Sequence, residues 1–254
     1  MSNIIKHPIV VIGIGEIGSV FARGFLRLGA TVIPITRQMD IKEQSEKISE
    51  PEAVIVAVGE SELQSVLADI PKQWHDRLVL IQNELLPRDW NKHNLYPTVI
   101  SVWFEKKKGQ DTKVVVPSPV FGKHATLVSN ALAELDIPTV ILETPEELVF
   151  ELLRKNFYIL TSNIAGLKVG GNVGELWSQH QDFAKEVITD INTIQQHLVG
   201  HIIDKEKVTK AMLIAFDGDP EHGCMGRSAP ARLKRALEIA KEADLNVPTL
   251  ESLQ

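Results

Sequence analysis

Three glycines at fixed spacing and one lysine inside an apolar helix are the parts of this 254-residue sequence whose types and placement could do chemistry. Ile9 to Ile12 is an apolar, β-branched run that breaks into Gly13, Ile14, Gly15, Glu16, Ile17 and Gly18. Such a run reads as a strand buried on both faces of a parallel sheet, and Ser19 to Leu28 after it reads as a helix. In that setting Gly13 permits a tight turn. Gly15 omits the Cβ that would keep the backbone away from a pyrophosphate, and Gly18 lets the helix approach the strand. The amides at the helix start then face an anion with the helix dipole behind them. A turn that only packs the fold could use the same letters. The strand before, the helix after and a second strand at Thr31 to Ile35 favour a dinucleotide.

The residues that end the second strand select the dinucleotide. NAD sites place an acid there to accept from the adenosine ribose, whereas NADP sites use an arginine and small hydroxyls around the extra phosphate. Here Thr36 and Arg37 stand at that point, and the nearest acid, Asp40, comes several residues too late. A guanidinium fork suits a phosphate, so NADP (NADPH) is the expected cofactor, with an ordinary surface arginine as the alternative.

Further along, Pro145 to about Val169 reads as a helix that is apolar almost all round, the central buried helix of a second domain. It carries Lys155, Asn156, Ser162 and Asn163 among Leu152, Leu153, Phe157, Ile159, Leu160 and Ile164. Burying an ammonium without a partner is costly, so Lys155 faces either solvent or a polar cleft. Two helical turns bring Ser162 over Lys155 and Asn163 over Asn156, which makes one polar strip. A solvated helix face would give the same strip. Beside a carbonyl receiving hydride, the ammonium of Lys155 would stabilise the developing oxyanion and give the proton. Asn163 and Ser162 would orient the substrate. Asn83 closes the fourth strand, at the sheet edge that faces the ligand crevice in open α/β folds, and is a candidate contact or else a turn asparagine.

The elements that must position these groups follow in order. Strands are expected at Ala53 to Val58, Leu78 to Ile81 and Thr139 to Leu142, and helices at Ile41 to Ser49, Ser61 to Ile70 with Ser61 as cap, and His124 to Leu135. Thr98 to Phe104 and Thr112 to Val116 read as a hairpin with a solvated tip at Lys106 to Lys108, closed by Pro117-Ser118-Pro119. Thr144-Pro145-Glu146-Glu147 marks a strong helix start, after which only helices are expected: Gly174 to Leu198, Asp204 to Phe216 and Ala229 to Ala243. The fold class is therefore α/β. Residues 1–143 are expected to form a Rossmann-type, doubly wound, mostly parallel sheet, and residues 144–254 an all-helical domain, to which the resemblance given below assigns substrate binding and dimerisation.

Composition narrows the function. A formal net charge of -6 argues against a general nucleic-acid binder, which needs clustered Lys and Arg. The single cysteine, Cys224, excludes an internal disulfide and fits a reducing compartment. The first strand begins within eight residues, so no signal peptide is expected, and no apolar run approaches a membrane span; a cytoplasmic protein is expected. The polar stretch Asp217 to Cys224 lacks the bidentate glutamate of a calcium loop and has too few Cys and His for zinc, so no metal is expected. It reads instead as a mobile loop over the cleft between domains.

Taken together, the glycine motif and the central helix are where the chain resembles the ketopantoate reductase family. In that family a dinucleotide domain precedes a helical domain whose first long helix carries a lysine and two asparagines at four-residue steps. Lys155 and Asn163 match the first and third positions, and Ile159 occupies the second. Asn83 matches the family's asparagine at the end of the fourth major strand. Asn172 to Trp177, Asn-Val-Gly-Glu-Leu-Trp, is similar to the segment after the first helix. Ser228 stands where a substrate-holding glutamate is found, Phe216 near a substrate-binding serine, and Gly59-Glu60 in place of a lysine after the third strand. The resemblance implies a helical domain of the kind that ends 6-phosphogluconate dehydrogenase, a homodimer through it as one option, and NADPH-dependent reduction of a small carbonyl compound of the 2-oxo acid type. Two other readings stay open: a non-catalytic NADP-binding regulatory or scaffolding protein, and a related hydroxyacid or prephenate-type dehydrogenase.

Overall fold

The β-branched runs become the inner strands of a sheet with helices on both faces, the setting in which a strand carries apolar residues without alternation. In a computed structural model, which describes residues 5–254, the chain divides into two units, Met1–Val149 and Phe150–Gln254. The first contains β1 (Ile9–Ile12), α1 (Glu16–Arg27), β2 (Val32–Ile35), α2 (Ile41–Lys47), β3 (Ala53–Val56), α3 (Leu63–Asp69), β4 (Leu78–Leu80) and α4 (Arg88–Asn91). It continues with β5 (Thr98–Ile100), β6 (Phe104–Glu105), β7 (Lys113–Val114), β8 (Ser118–Phe121), α5 (Ala125–Ala133) and β9 (Thr139–Ile141).

Seven strands form the main sheet in the order β2-β1-β3-β4-β5-β8-β9. Every neighbouring pair is parallel except β5 with β8. The chain winds from β1 outward to β2 and returns to β3 on the other side of β1. The carboxyl ends of β1 and β3 therefore mark a switch point, where open α/β sheets bind their ligands. All residues of β1 and β3 are buried, with Phe21 and Phe25 of α1 packed in the same core.

Three expectations for this unit need correction. The long strand Thr98 to Phe104 is divided: β5 joins the main sheet, while β6 pairs with β7 in a separate two-stranded ribbon. Pro119 does not close a hairpin but lies inside β8, between β5 and β9. A proline can do so because it loses only a donor, and its carbonyl still accepts from the Ser101 amide at 2.9 Å. Helix α3 is capped by Glu62 and not by Ser61, because the Glu62 amide closes a turn onto the Gly59 carbonyl at 3.0 Å with Ser61 inside it.

The helix α6 (Pro145–Val169) starts as its sequence dictates. The Thr144 hydroxyl accepts from the Glu147 amide at 3.2 Å, and the Glu147 carboxylate accepts from the amides of Glu143 and Thr144 at 2.8 and 3.3 Å. After it come α7 (Val173–Gln179), α8 (Gln181–Val199), α9 (Lys205–Gly218), α10 (Ala229–Glu242) and α11 (Pro248–Glu251). The single helix expected over Gly174 to Leu198 is broken at His180, whose φ of -128° and ψ of 31° end α7 and precede α8. The unforeseen α11 is held by the buried carboxylate of Asp190, which accepts from the amides of Thr249 and Leu250 at 2.7 and 3.0 Å. Among the described residues no helix is long and apolar enough to cross a membrane.

The segment expected to be a mobile loop is fastened down. The amides of Val173 and Gly174 donate to the carbonyls of His222 and Pro220 at 2.9 and 3.0 Å, and the Cys224 amide donates to the Gly171 carbonyl at 2.9 Å. Cys224 is fully buried. Its Cβ lies against Gly166 of α6, where no larger residue would fit.

Candidate functional site

The three glycines of the first turn have different jobs. Gly13 adopts φ +89°, and a Cβ there would stand 2.7 Å from the Ala57 carbonyl oxygen. At Gly18 a Cβ would meet the Gly13 oxygen at 2.1 Å and the Ala57 Cβ at 3.1 Å, so this position holds α1 close to the strand ends. Around Gly15 no protein atom lies within 4 Å of an added Cβ, and its φ of -75° suits any residue. The fold does not need a glycine there. The backbone there is open to a group that approaches from outside. Gly15 is also the N-cap of α1, and among the described residues no side chain caps it. The amides of Glu16, Ile17 and Gly18 have no intrahelical acceptor, and Ile14 and Glu16 are exposed. The turn therefore fits the phosphates of a dinucleotide. Ile17 packs against the core and anchors the turn from below.

Beside it, the Gly13 amide donates to the Ile35 carbonyl at 2.9 Å, which sets the end of β2 against the turn. Thr36 and Arg37 follow at once and are exposed. The Arg37 guanidinium grips the Glu62 carboxylate, with Nη2 3.0 Å from Oε1 and 3.1 Å from Oε2. Asp40, the nearest acid after β2, caps α2 by accepting from the Glu43 amide at 3.0 Å.

At the carboxyl end of β4, Gln82 ties two strand ends together: its Nε2 donates to the carbonyls of Val56 and Val58 at 2.6 and 3.2 Å. Asn83 comes next, half-buried, in a turn completed by Glu84 at φ 61°.

The polar strip on α6 is not a solvated face. Asn156, Ser162 and Asn163 are all buried. The Asn156 amide donates to Gln195 Oε1 on α8 at 3.0 Å. Ser162 is fully buried and gives its hydroxyl proton to the Tyr158 carbonyl at 2.7 Å, bonding back onto its own helix. Asn163 Oδ1 accepts from Arg232 Nη1 on α10 at 2.6 Å. Lys155 is half-buried, with Nζ 5.6 Å from the centroid of the Tyr158 ring. Burial, then the charges of Arg232 and Arg154, push the Lys155 ammonium down from its ordinary value to about 7. Ile159 and Phe216, which replace polar groups of the resembled family, are buried and apolar. Phe216 meets Tyr158 edge-on at 5.3 Å.

Arg232 escaped the sequence reading. Its signal was there: Ala229, Leu233, Ala236 and Ala240 are the buried face of α10, and Arg232 is an arginine on that face. A cation on an apolar stripe needs a partner, and Asn163 supplies one.

The first unit is thus a doubly wound, mostly parallel sheet with a phosphate-fitting turn at its switch point, and the second is all helical. No model of a protein family matches the sequence, and no curated protein matches it. Solved structures do match the fold. A PanE/ApbA family ketopantoate reductase from Ralstonia eutropha is 13% identical with a TM-score of 0.64, over 96% of this chain and 95% of that one. A ketopantoate reductase from Staphylococcus aureus, described as dimeric, is 16% identical with a TM-score of 0.62, over 97% and 95%. D-mandelate dehydrogenase, in a ternary structure with NADH and anilino(oxo)acetate, is 14% identical with a TM-score of 0.65, over 96% and 95%. The resemblance carried by Lys155, Asn163 and Asn83 therefore extends to the architecture of nearly the whole chain. At these identities the likeness is one of fold.

Proposed function

We propose that the protein is an NAD(P)-dependent oxidoreductase that reduces a small 2-oxo acid, with NADPH as the preferred reductant. The observation that carries this reading is Lys155, an ammonium on a largely buried helix, placed near the guanidiniums of Arg154 and Arg232 and held at a pKa of about 7. A group that titrates near neutral pH can both give and take a proton at the pH of the cell, which general acid catalysis requires. The bound dinucleotide supplies the hydride. Gly13, Ile14, Gly15, Glu16, Ile17 and Gly18 seat its phosphates, and Thr36 and Arg37 meet its adenosine end. Lys155 stabilises the charge that grows on the substrate oxygen and donates the proton to it. Asn163, fixed by Arg232, and Asn83 orient the substrate. The Arg232 guanidinium, whose acceptor Asn163 Oδ1 is neutral, favours an anionic substrate, in keeping with a carboxylate next to the carbonyl, whereas Arg154 is already paired with the Glu151 carboxylate at 3.2 Å. Ser162 stands behind Asn163: its hydroxyl donates to the Tyr158 carbonyl and its oxygen accepts from Asn163 Nδ2 at 3.4 Å.

One solved neighbour is a dehydrogenase held with NADH, which supports the reverse reaction, oxidation of a 2-hydroxy acid, on the same groups. Lys155 would then act as base in its neutral form. Screening NADPH and NADH oxidation against 2-oxo acids, and reduction of the oxidised cofactors by 2-hydroxy acids, separates the two directions. Tight cofactor binding with no turnover of any compound would establish a non-catalytic binder instead. A homodimer through the helical unit belongs to the same proposal, and light scattering at micromolar concentration tests it.

A further inference from the structure

We propose that Glu62 sets the cofactor selectivity of the glycine-turn site by competing with the 2′-phosphate of NADPH for Arg37. The inference rests on the reading of that turn as a dinucleotide site. Strands β2 and β3 flank β1 on its two sides, so the loops that leave their carboxyl ends border the turn from opposite directions. Arg37 belongs to the loop after β2, and Glu62 to the segment that leads from β3 into α3. Their ion pair, 3.0 and 3.1 Å from one guanidinium nitrogen to the two carboxylate oxygens, links these loops across the end of β1. Glu62 Oε2 also accepts from the Gly59 amide at 3.4 Å, which fixes the carboxylate on the β3 side of the turn.

Three consequences follow from ordinary electrostatics. The positive charge that would attract a phosphate already faces a carboxylate, so the pair offers little net field to a dianion. To present its whole fork to the phosphate, Arg37 must give up or share the Nη2 contact with Glu62, and the carboxylate is then a like charge close to the new ligand. The cost is bounded, because the Arg37 and Glu62 side chains are 85% and 38% exposed and such pairs hold weakly in water. NADH makes no such demand: its ribose hydroxyls can donate to a carboxylate, and Arg37 need not move. Glu62 thus narrows the preference for NADPH without reversing it. Its separation from Arg37 by 25 residues explains why Thr36 and Arg37, read without it, suggest an NADP site of ordinary strength.

The test is a set of fluorescence titrations of the full-length protein with NADPH and with NADH, on wild type, Glu62→Gln, Arg37→Ala and the double variant, with melting temperatures checked for each. Glu62→Gln should tighten NADPH by about fivefold and move NADH by less than about twofold, the scale of an exposed ion pair. Arg37→Ala should weaken NADPH by at least about tenfold and leave NADH nearly unchanged, as expected for loss of a charge-assisted phosphate contact. In the Arg37→Ala background the gain from Glu62→Gln should fall below about twofold, since nothing remains to compete for. Weaker NADPH binding in Glu62→Gln would make Glu62 a buttress for Arg37 and overturn the inference. So would an equal shift in both cofactors, or a full gain that persists without Arg37. Those results leave the dinucleotide site standing. Wild-type protein that binds neither cofactor would instead remove the site itself, and the inference with it.

Discussion

Replacing Gly15 and Gly18 in turn by alanine separates what the turn does for the fold from what it does for a ligand. At Gly15 the added methyl meets no protein atom within 4 Å, and φ is -75°, so no clash and no strain arise. The lost N-cap preference and the gain from a stiffer unfolded chain are of opposite sign, and the net change should stay within about 1 kcal/mol. For a unit of this size that is a shift of about 2–4 °C in melting temperature. At Gly18 the methyl would stand 2.1 Å from the Gly13 oxygen, a backbone atom that cannot swing aside. Opening the turn should cost at least the 1–3 kcal/mol typical of overpacking, or a fall of roughly 2–12 °C. Binding should respond differently from stability. Pushing a pyrophosphate off the amides by the width of a methyl loses at least one charge-assisted hydrogen bond, about 1.5–3 kcal/mol, so NADPH and NADH should each weaken by at least about tenfold in Gly15→Ala. Scanning calorimetry and cofactor titration give the two numbers. A Gly15→Ala protein with wild-type cofactor affinity would refute the reasoning, and so would one that melts as early as Gly18→Ala.

Other predictions concern the helical unit. Since the Lys155 pKa is about 7, kcat/KM for reduction should fall as pH rises through that value while the oxidative direction gains over the same range. Because this pKa is lowered on folding, the folded protein binds fewer protons than the unfolded chain between about 7 and 10.5, so stability should rise with pH across that window. Lys155→Met should flatten the rise, as urea midpoints at several pH values would reveal. Burial first, then Glu175, raises the Cys224 thiol to about 11, so labelling by an aromatic disulfide at pH 8 should track global unfolding. Gly166→Ala would place a Cβ 2.8 Å from the Cys224 carbonyl carbon and should cost about 1–3 kcal/mol in a urea titration.

Features legible in the sequence were those whose causes are local. The capping box at Thr144 needs only residues three and four apart, and it formed as read. The strand, turn and helix of the glycine motif are contiguous, so the fold of the first unit and the place of its turn could be inferred. Features that depend on distant partners could not. Pro119 sits in a strand because β5 and β9 flank it, a pairing that no local preference announces. Asn163 and Arg232 meet over 69 residues, and Arg37 and Glu62 over 25, so Asn163 and Arg37 show only their types in the sequence and their partners Arg232 and Glu62 do not stand out. The loop from Asp217 to Cys224 is rich in turn residues and read as mobile, yet its backbone bonds to residues 171–174. Polarity marks a segment as a loop without saying whether it is fastened.

Lys155 is the group on which the proposed proton transfer most directly depends. Turnover of the best 2-oxo acid by Lys155→Ala, measured with saturating NADPH alongside the cofactor dissociation constant, isolates the proton donor from the nucleotide site. Loss of the acid should lower kcat by roughly 10² to 10⁴ while NADPH affinity stays within about twofold of wild type. A variant that keeps most of its turnover would contradict the account, since Lys155 would then be only a half-buried cation that the fold tolerates.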